Sequence, residues 1–171
     1  VNINPNDKRA RLLRHIRVLL IGFIIGLILS GLTAFPLEWE LSLLAQMLGA
    51  APSSSHWEYS GLLFWVVKVR NGLRQTNAQF PFLAYGTDWL AFAHLVIAVA
   101  FIGPLREPVR NKWIIDWGLI CCAAIIPLAL ICGPLRGIPL YWRLIDCSFG
   151  VVGAIPLLWC RKLIGELERE I

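Results

Sequence analysis

The chain has 171 residues, of which 57% are hydrophobic and only 16% charged, and its mean hydropathy is +0.65. These values exclude an ordinary soluble domain and a disordered chain, and they fit one membrane-embedded domain. The formal charge of +5 does not call for nucleic acid, because the basic residues flank apolar stretches instead of forming a patch of their own.

Residues 1–15 read as a cytoplasmic basic N-terminus. Val1 to Asp7 is polar, contains Pro5 and is expected to be loosely held, and Lys8, Arg9, Arg11, Arg14 and Arg17 follow as a collar at the membrane surface. The first span is 16–35. Its apolar core is too long for a cleaved signal peptide, and Leu32 to Ala34 is a poor cleavage site. Gly22, Gly26 and Ser30 place small side chains on one face, where another helix could approach. Phe35-Pro36 should end the helix, since proline disfavours helical geometry in the residue before it.

Residues 36–82 form a long connection that is apolar in part. Leu37 to Leu48 and Trp57 to Leu73 are too short or too charged to span a bilayer of ~30 Å. In the second stretch Leu62, Trp65, Val66, Val69 and Leu73 follow helical spacing, with Lys68, Arg70 and Arg74 off that stripe. Amphipathic helices along the outer membrane surface are expected, held at that depth by Trp39, Trp57, Tyr59 and Trp65 and separated by a turn at Ala51 to His56; a periplasmic cap is the alternative.

The second span, 83–103, carries Asp88 and His94, with Ala84, Asp88, Ala91, Leu95 and Ala98 close to one face. A cytoplasmic loop, 104–112, follows. Its Arg106, Glu107 and Arg110 are expected to form a charge cluster with Asp116 at the start of the third span, 113–132. Pro127 should kink that span. The periplasmic turn 133–139 repeats Gly103-Pro104-Leu105-Arg106 as Gly133-Pro134-Leu135-Arg136, and an Ile-Asp pair follows each copy at the same offset. Such a pattern fits an inverted repeat or plain turn punctuation. The fourth span, 140–160, holds Arg143 and Asp146, which are three residues apart and able to pair, and its Gly150 and Gly153 leave room for a partner helix. Pro156 should kink it, and 161–171 is a cytoplasmic C-terminus. Eleven basic residues fall on the side of the termini, against Lys68, Arg70, Arg74, Arg136 and Arg143 on the other, so both termini are expected in the cytoplasm.

With that topology Asp88, Arg143 and Asp146 enter the membrane at the same outer level as Tyr85, Tyr141 and Arg136. Charges at a span centre cost roughly 2.5–3.5 kcal/mol, less near an interface, so an arginine between two aspartates is either a structural knot or a site for an ion, proton or lipid headgroup. His94, one or two turns deeper, is either a neutral buried histidine or a proton relay. Haem ligation is not expected, because no second histidine lies within a span. His15, His56 and His94 lie too far apart for a metal site, and no cofactor is predicted. The five cysteines fall within or beside spans without a C-x-x-C pair and are read as buried thiols. No nucleophile or phosphate-loop motif is present.

The wording T-D-W-L-A-F-A-H from Thr87 to His94, G-P-L-R-E-P-V-R-N from Gly103 to Asn111 and Y-W-R-L-I-D-C-S-F-G from Tyr141 to Gly150 resembles an uncharacterised family of small bacterial inner-membrane proteins. The resemblance covers about the last half of the chain and implies that setting, with no activity attached. The expectation is an all-α integral membrane four-helix bundle with interfacial helices between its first two spans. It would act as a non-enzymatic oligomeric conduit or accessory subunit, in contact with the bilayer and with itself or a membrane complex, and not with nucleic acid. A membrane-embedded enzyme acting on a lipid or quinone at the outer leaflet is the alternative.

Overall fold

The computed structural model describes residues 5–170, and every regular element among them is helical. The order is α1 (Pro5–Ala34), α2 (Leu37–Met47), a 3-10 turn (His56–Glu58), α3 (Gly61–Gln79), a second 3-10 turn (Pro81–Ala84), α4 (Tyr85–Ala100), α5 (Ile102–Arg106), α6 (Lys112–Leu135) and α7 (Leu140–Glu168). Four stretches are long and apolar enough to cross a membrane: Asp7–Ala34, Pro81–Arg106, Lys112–Leu135 and Leu140–Glu168. Their large apolar side chains are widely exposed, among them Val18, Leu29, Phe92, Val99, Ile120, Ile131, Phe149 and Val152. A surface this apolar is a liability in water and the natural wall of a helix in lipid.

Two helices outrun the expected spans. The basic collar is not a separate segment, because α1 is continuous from Pro5, and α7 runs past Cys160 to Glu168. Of Val1 to Asp7, Pro5 to Asp7 begin α1, and residues 1–4 lie outside the described residues, as does Ile171. Helical geometry persists through Pro127 and Pro156.

The chain divides into two compact units, residues 1–26 with 97–171 and residues 27–96. In the first, Ile16, Leu20, Phe101, Ile115, Leu157, Cys160 and Ile164 are fully buried and form a core where α1, α6 and α7 meet. Phe101 stacks on Phe23 with ring centroids 4.7 Å apart and comes so near Gly118 that a Cβ there would stand 2.7 Å from its ring. Further along, Gly150 faces α6 at the Cys122 carbonyl, where a Cβ would sit 2.5 Å from that oxygen, and Gly153 faces the Cys122 thiol. Glycine and other small residues let two apolar helices approach closely, and that is how α6 and α7 pair. Ion pairs join the helix ends in this unit: Lys8 to Glu170 at 2.6 Å, Lys112 to Glu168 at 2.6 Å and Arg161 to Asp116 at 2.5 Å.

In the second unit, α2 packs against α3 through Leu41 and Ala45 on one side and Val66 and Val67 on the other, all buried. The α2–α3 segment is thus a helical hairpin with its own small core. The 3-10 turn between its helices is held by a capping box, in which the Ser55 backbone N–H donates to Glu58 Oε1 at 2.7 Å. The close approach of α1 to α4 occurs at Gly31, where a Cβ would lie 2.9 Å from the Ala91 carbonyl. Within the chain, nothing lies within 4 Å of a Cβ placed on Gly22 or Gly26, so that face is open.

Arg70 is the other departure. Placed off the apolar stripe by its spacing, it is fully buried on the inner face of α3. Its Nη1 donates to Ala51 O at 3.1 Å, its Nη2 to Ser54 O at 3.1 Å, and its Nε to Asn71 Oδ1 at 3.1 Å. The α2–α3 connection turns its carbonyls inward, and the Arg70 guanidinium on α3 donates to two of them at once, beside the bonds they take from Ser54 Oγ and Asn71 Nδ2.

Candidate functional site

The side chains singled out in the sequence divide between the units. Tyr85, Asp88 and His94 lie on α4 in the second, while Arg136, Tyr141, Arg143 and Asp146 lie at the α6–α7 turn and on α7 in the first. Among the described residues no ion pair includes Asp88, Arg143 or Asp146. The pairing that three-residue spacing suggested for Arg143 and Asp146 is not formed, because the Arg143 stem lies across Gly133 and is directed to α6. Its Nε is buried without a hydrogen-bond partner. Asp88 is half-buried in the first turn of α4, where the helix dipole favours an acid. Tyr85 is exposed and meets the Trp89 ring edge-on at 5.9 Å.

His94 Nδ1 lies 2.8 Å from Leu90 O on its own helix, an arrangement in which Nδ1–H donates to the carbonyl. This contact occupies Nδ1 and leaves Nε2 as the other ring nitrogen. In the first unit, Asp116 takes Arg161 as its partner, not Arg106 or Arg110, and Arg110 pairs with Glu107 at 3.4 Å. No group of three potential metal ligands occurs among the described residues.

The best-formed cavity was not legible in the sequence. It is a groove of about 490 Å³ within the second unit, between the α2–α3 hairpin and the adjoining ends of α1 and α4. Its lining combines apolar side chains, Phe35, Leu37, Trp39, Leu73 and Leu83, with polar ones, Glu38, Ser42, Arg74, Thr76, Asn77 and Thr87. The turn at Phe35–Pro36 ends α1 and points the chain into α2, so that Glu38 comes opposite the last two turns of α3. Glycine and polar residues beyond Val69 continue α3 and bring Arg74 and Asn77, three residues apart, onto one face.

Glu38, Ser42, Arg74 and Asn77 form a connected network. Asn77 Nδ2 donates to Glu38 Oε2 at 2.8 Å, and Arg74 Nε donates to Glu38 Oε1 at 3.4 Å. Arg74 is held independently of the carboxylate, through Nη1 to Pro52 O at 3.0 Å and Nη2 to Ser42 Oγ at 3.3 Å. Ser42 Oγ in turn donates to Glu38 O at 2.8 Å. Glu38 and Arg74 stay partly open to solvent, with side chains 34% and 48% exposed. The groove therefore offers fixed charges of both signs among apolar side chains.

The buried Arg70 supports this arrangement from below. It ties the 51–54 segment to α3 one turn before Arg74, and that same segment supplies the Pro52 carbonyl that Arg74 uses. Burial and the neighbouring Arg74 charge push the Arg70 guanidinium below its usual range, with Tyr59 acting the other way. It remains a cation at neutral pH.

Comparison of the chain with protein-family models, with curated proteins and with solved structures finds no match.

Proposed function

We propose that this chain is a non-enzymatic membrane module, an accessory subunit in a bacterial inner membrane, that holds an amphiphile in the α2–α3 groove. The observation that carries the reading is the groove itself. Its volume of about 490 Å³ lies within the ~300–1,000 Å³ of small-molecule sites. That is room for a headgroup and the first carbons of its chains.

The groove adjoins the end of one span and the start of the next, and Trp39 and Phe82 beside it are exposed in the manner of aromatic residues at a membrane–water boundary. The excess of basic residues on the side of the termini supports reading this as the outer boundary. Both oxygens of Glu38 are already engaged, which suits a binding group better than a general base.

The test uses the full chain purified in mild detergent, with retained lipid measured by native mass spectrometry. Ala84→Trp places an indole in the groove. Lipid occupancy should fall about tenfold or more, equivalent to ~1.4 kcal/mol or more, while helix content and melting stay unchanged. Equal occupancy in the folded variant would sink the reading.

A second reading keeps Arg143 and Asp146, both in the first unit, as an ion, proton or headgroup site, and the partnerless Arg143 Nε is the observation in its favour. Under it, Asp146→Asn should abolish proton or ion flux in liposomes; unchanged flux with lost stability would leave a structural role.

A further inference from the structure

We infer that the groove selects a zwitterion, an amphiphile whose headgroup carries a primary ammonium and a phosphodiester. This rests on the groove being a binding site and names what it takes. The argument is one of unused valence. The Arg74 guanidinium has five N–H donors, and Glu38, Pro52 and Ser42 account for three nitrogens with one bond each. Two N–H groups are left. Glu38 accepts from Arg74 and Asn77, one bond on each oxygen, which leaves each carboxylate oxygen a further lone pair.

The direct bond between the two charges is a long one. At 3.4 Å it exceeds the ~2.7–2.9 Å of a good charge-assisted hydrogen bond, and both side chains are partly exposed. Such a pair opens at little cost. A phosphodiester oxygen would then be met by the free Arg74 N–H groups, and an ammonium by the free Glu38 lone pairs. Neither charge needs to move far, because Arg74 is anchored to Pro52 and Ser42, and Glu38 to Asn77.

The same pair of charges discriminates against other headgroups. A purely anionic phospholipid sets its charge beside Glu38 with nothing to neutralise that carboxylate. A quaternary ammonium has no N–H to donate to it. A lone cation meets Arg74. The apolar lining of Phe35, Leu37, Trp39, Leu73 and Leu83 decides between a soluble phosphoethanolamine and a lipid, and it favours the lipid.

The experiment is a competition on the full chain in detergent. Short-chain phosphatidylethanolamine, phosphatidylglycerol and phosphatidylcholine, and free phosphoethanolamine, are added in turn, and occupancy is read by native mass spectrometry. Phosphatidylethanolamine should exceed the other two lipids by about tenfold, a difference of ~1.4 kcal/mol. Glu38→Gln should reverse the order in favour of phosphatidylglycerol, and Arg74→Gln should lower all three.

Free phosphoethanolamine should compete only at much higher concentration. If it binds as tightly as the lipid, the zwitterion stands and its source is soluble. Equal occupancy by phosphatidylethanolamine and phosphatidylglycerol in the wild-type protein would overturn the inference, and this comparison decides even where a variant does not fold. If Ala84→Trp still abolishes binding in that case, the groove remains a site without this selectivity. If Ala84→Trp has no effect, the binding reading itself has failed.

Discussion

Replacing Arg70 by methionine keeps most of its volume and removes its charge and its donors. The side chain is fully buried and bonds Ala51 O, Ser54 O, Ser54 Oγ and Asn71 Oδ1. The carbonyls would not be orphaned. Ser54 Oγ also donates to Ala51 O at 2.7 Å, and Asn71 Nδ2 to Ser54 O at 3.1 Å. The loss is therefore that of the two charge-assisted bonds to carbonyls, about 1.5–3 kcal/mol each, less what is regained by no longer burying a cation. A net loss of ~2–3 kcal/mol is expected, which for a small domain lowers melting by on the order of 10 °C.

Arg70→Lys should do no better, because an ammonium cannot present the fork that reaches Ala51 and Ser54 together. Far-UV circular dichroism in detergent measures the melting, and hydrogen exchange at residues 50–55 localises it. The pH dependence carries a sign. A base whose value is lowered in the folded state adds stability only as pH rises through that lowered value, far above neutrality for an arginine. The difference between wild type and Arg70→Met should thus be flat between about pH 6 and 8. A methionine variant as stable as wild type, or a lysine variant that fully restores it, would refute the reasoning.

Gly150→Ala should cost about 1–3 kcal/mol in thermal melting, since its Cβ would meet the Cys122 carbonyl at 2.5 Å and backbone cannot step aside. Gly133→Ala meets only the flexible Arg143 stem and should cost clearly less, which the same melts will rank. Gly26→Ala has nothing within 4 Å and should leave the protein unchanged or more stable by up to ~1 kcal/mol; a fall in chemical crosslinking between copies would show that this stripe serves self-association. Asp116→Asn removes a pair whose side chains are 42% and 53% exposed, so its cost should stay below ~1 kcal/mol and shrink in melts at high salt.

Helices were legible wherever one physical requirement decided the outcome. Crossing hydrocarbon demands some 20 apolar residues with every backbone group bonded internally, so all four membrane-length helices could be read from the chain. The approach of α6 to α7 was half legible: Gly150 and Gly153 announced a neighbour, but which helix it was depended on Cys122, one small residue among several. Gly31 does not stand out in the sequence beside the more regular stripe at Gly22, Gly26 and Ser30, and a regular stripe says only that approach is allowed. An arginine in an amphipathic helix ordinarily lies on the wet side, and Arg70 does not. Its burial follows from inward-facing carbonyls between Ala51 and Ser54, and backbone carbonyls leave no mark in a sequence.

The same limit applies to the charged residues. A charge inside a span stands out against its apolar neighbours, so Asp88, Arg143 and Asp146 are conspicuous in the sequence. Glu38, Arg74 and Asn77 lie in stretches that are polar anyway, and Glu38 and Asn77 are 39 residues apart. Only the turn of the α2–α3 hairpin brings them together. Charges near the water are also cheaper to keep open to a ligand. Deep in a span an unpaired ion costs several kcal/mol, whereas the partly exposed Glu38–Arg74 pair rests at 3.4 Å and opens at little cost. Under the proposed reading, the apolar side chains of the groove would supply affinity and the ion pair would supply selection.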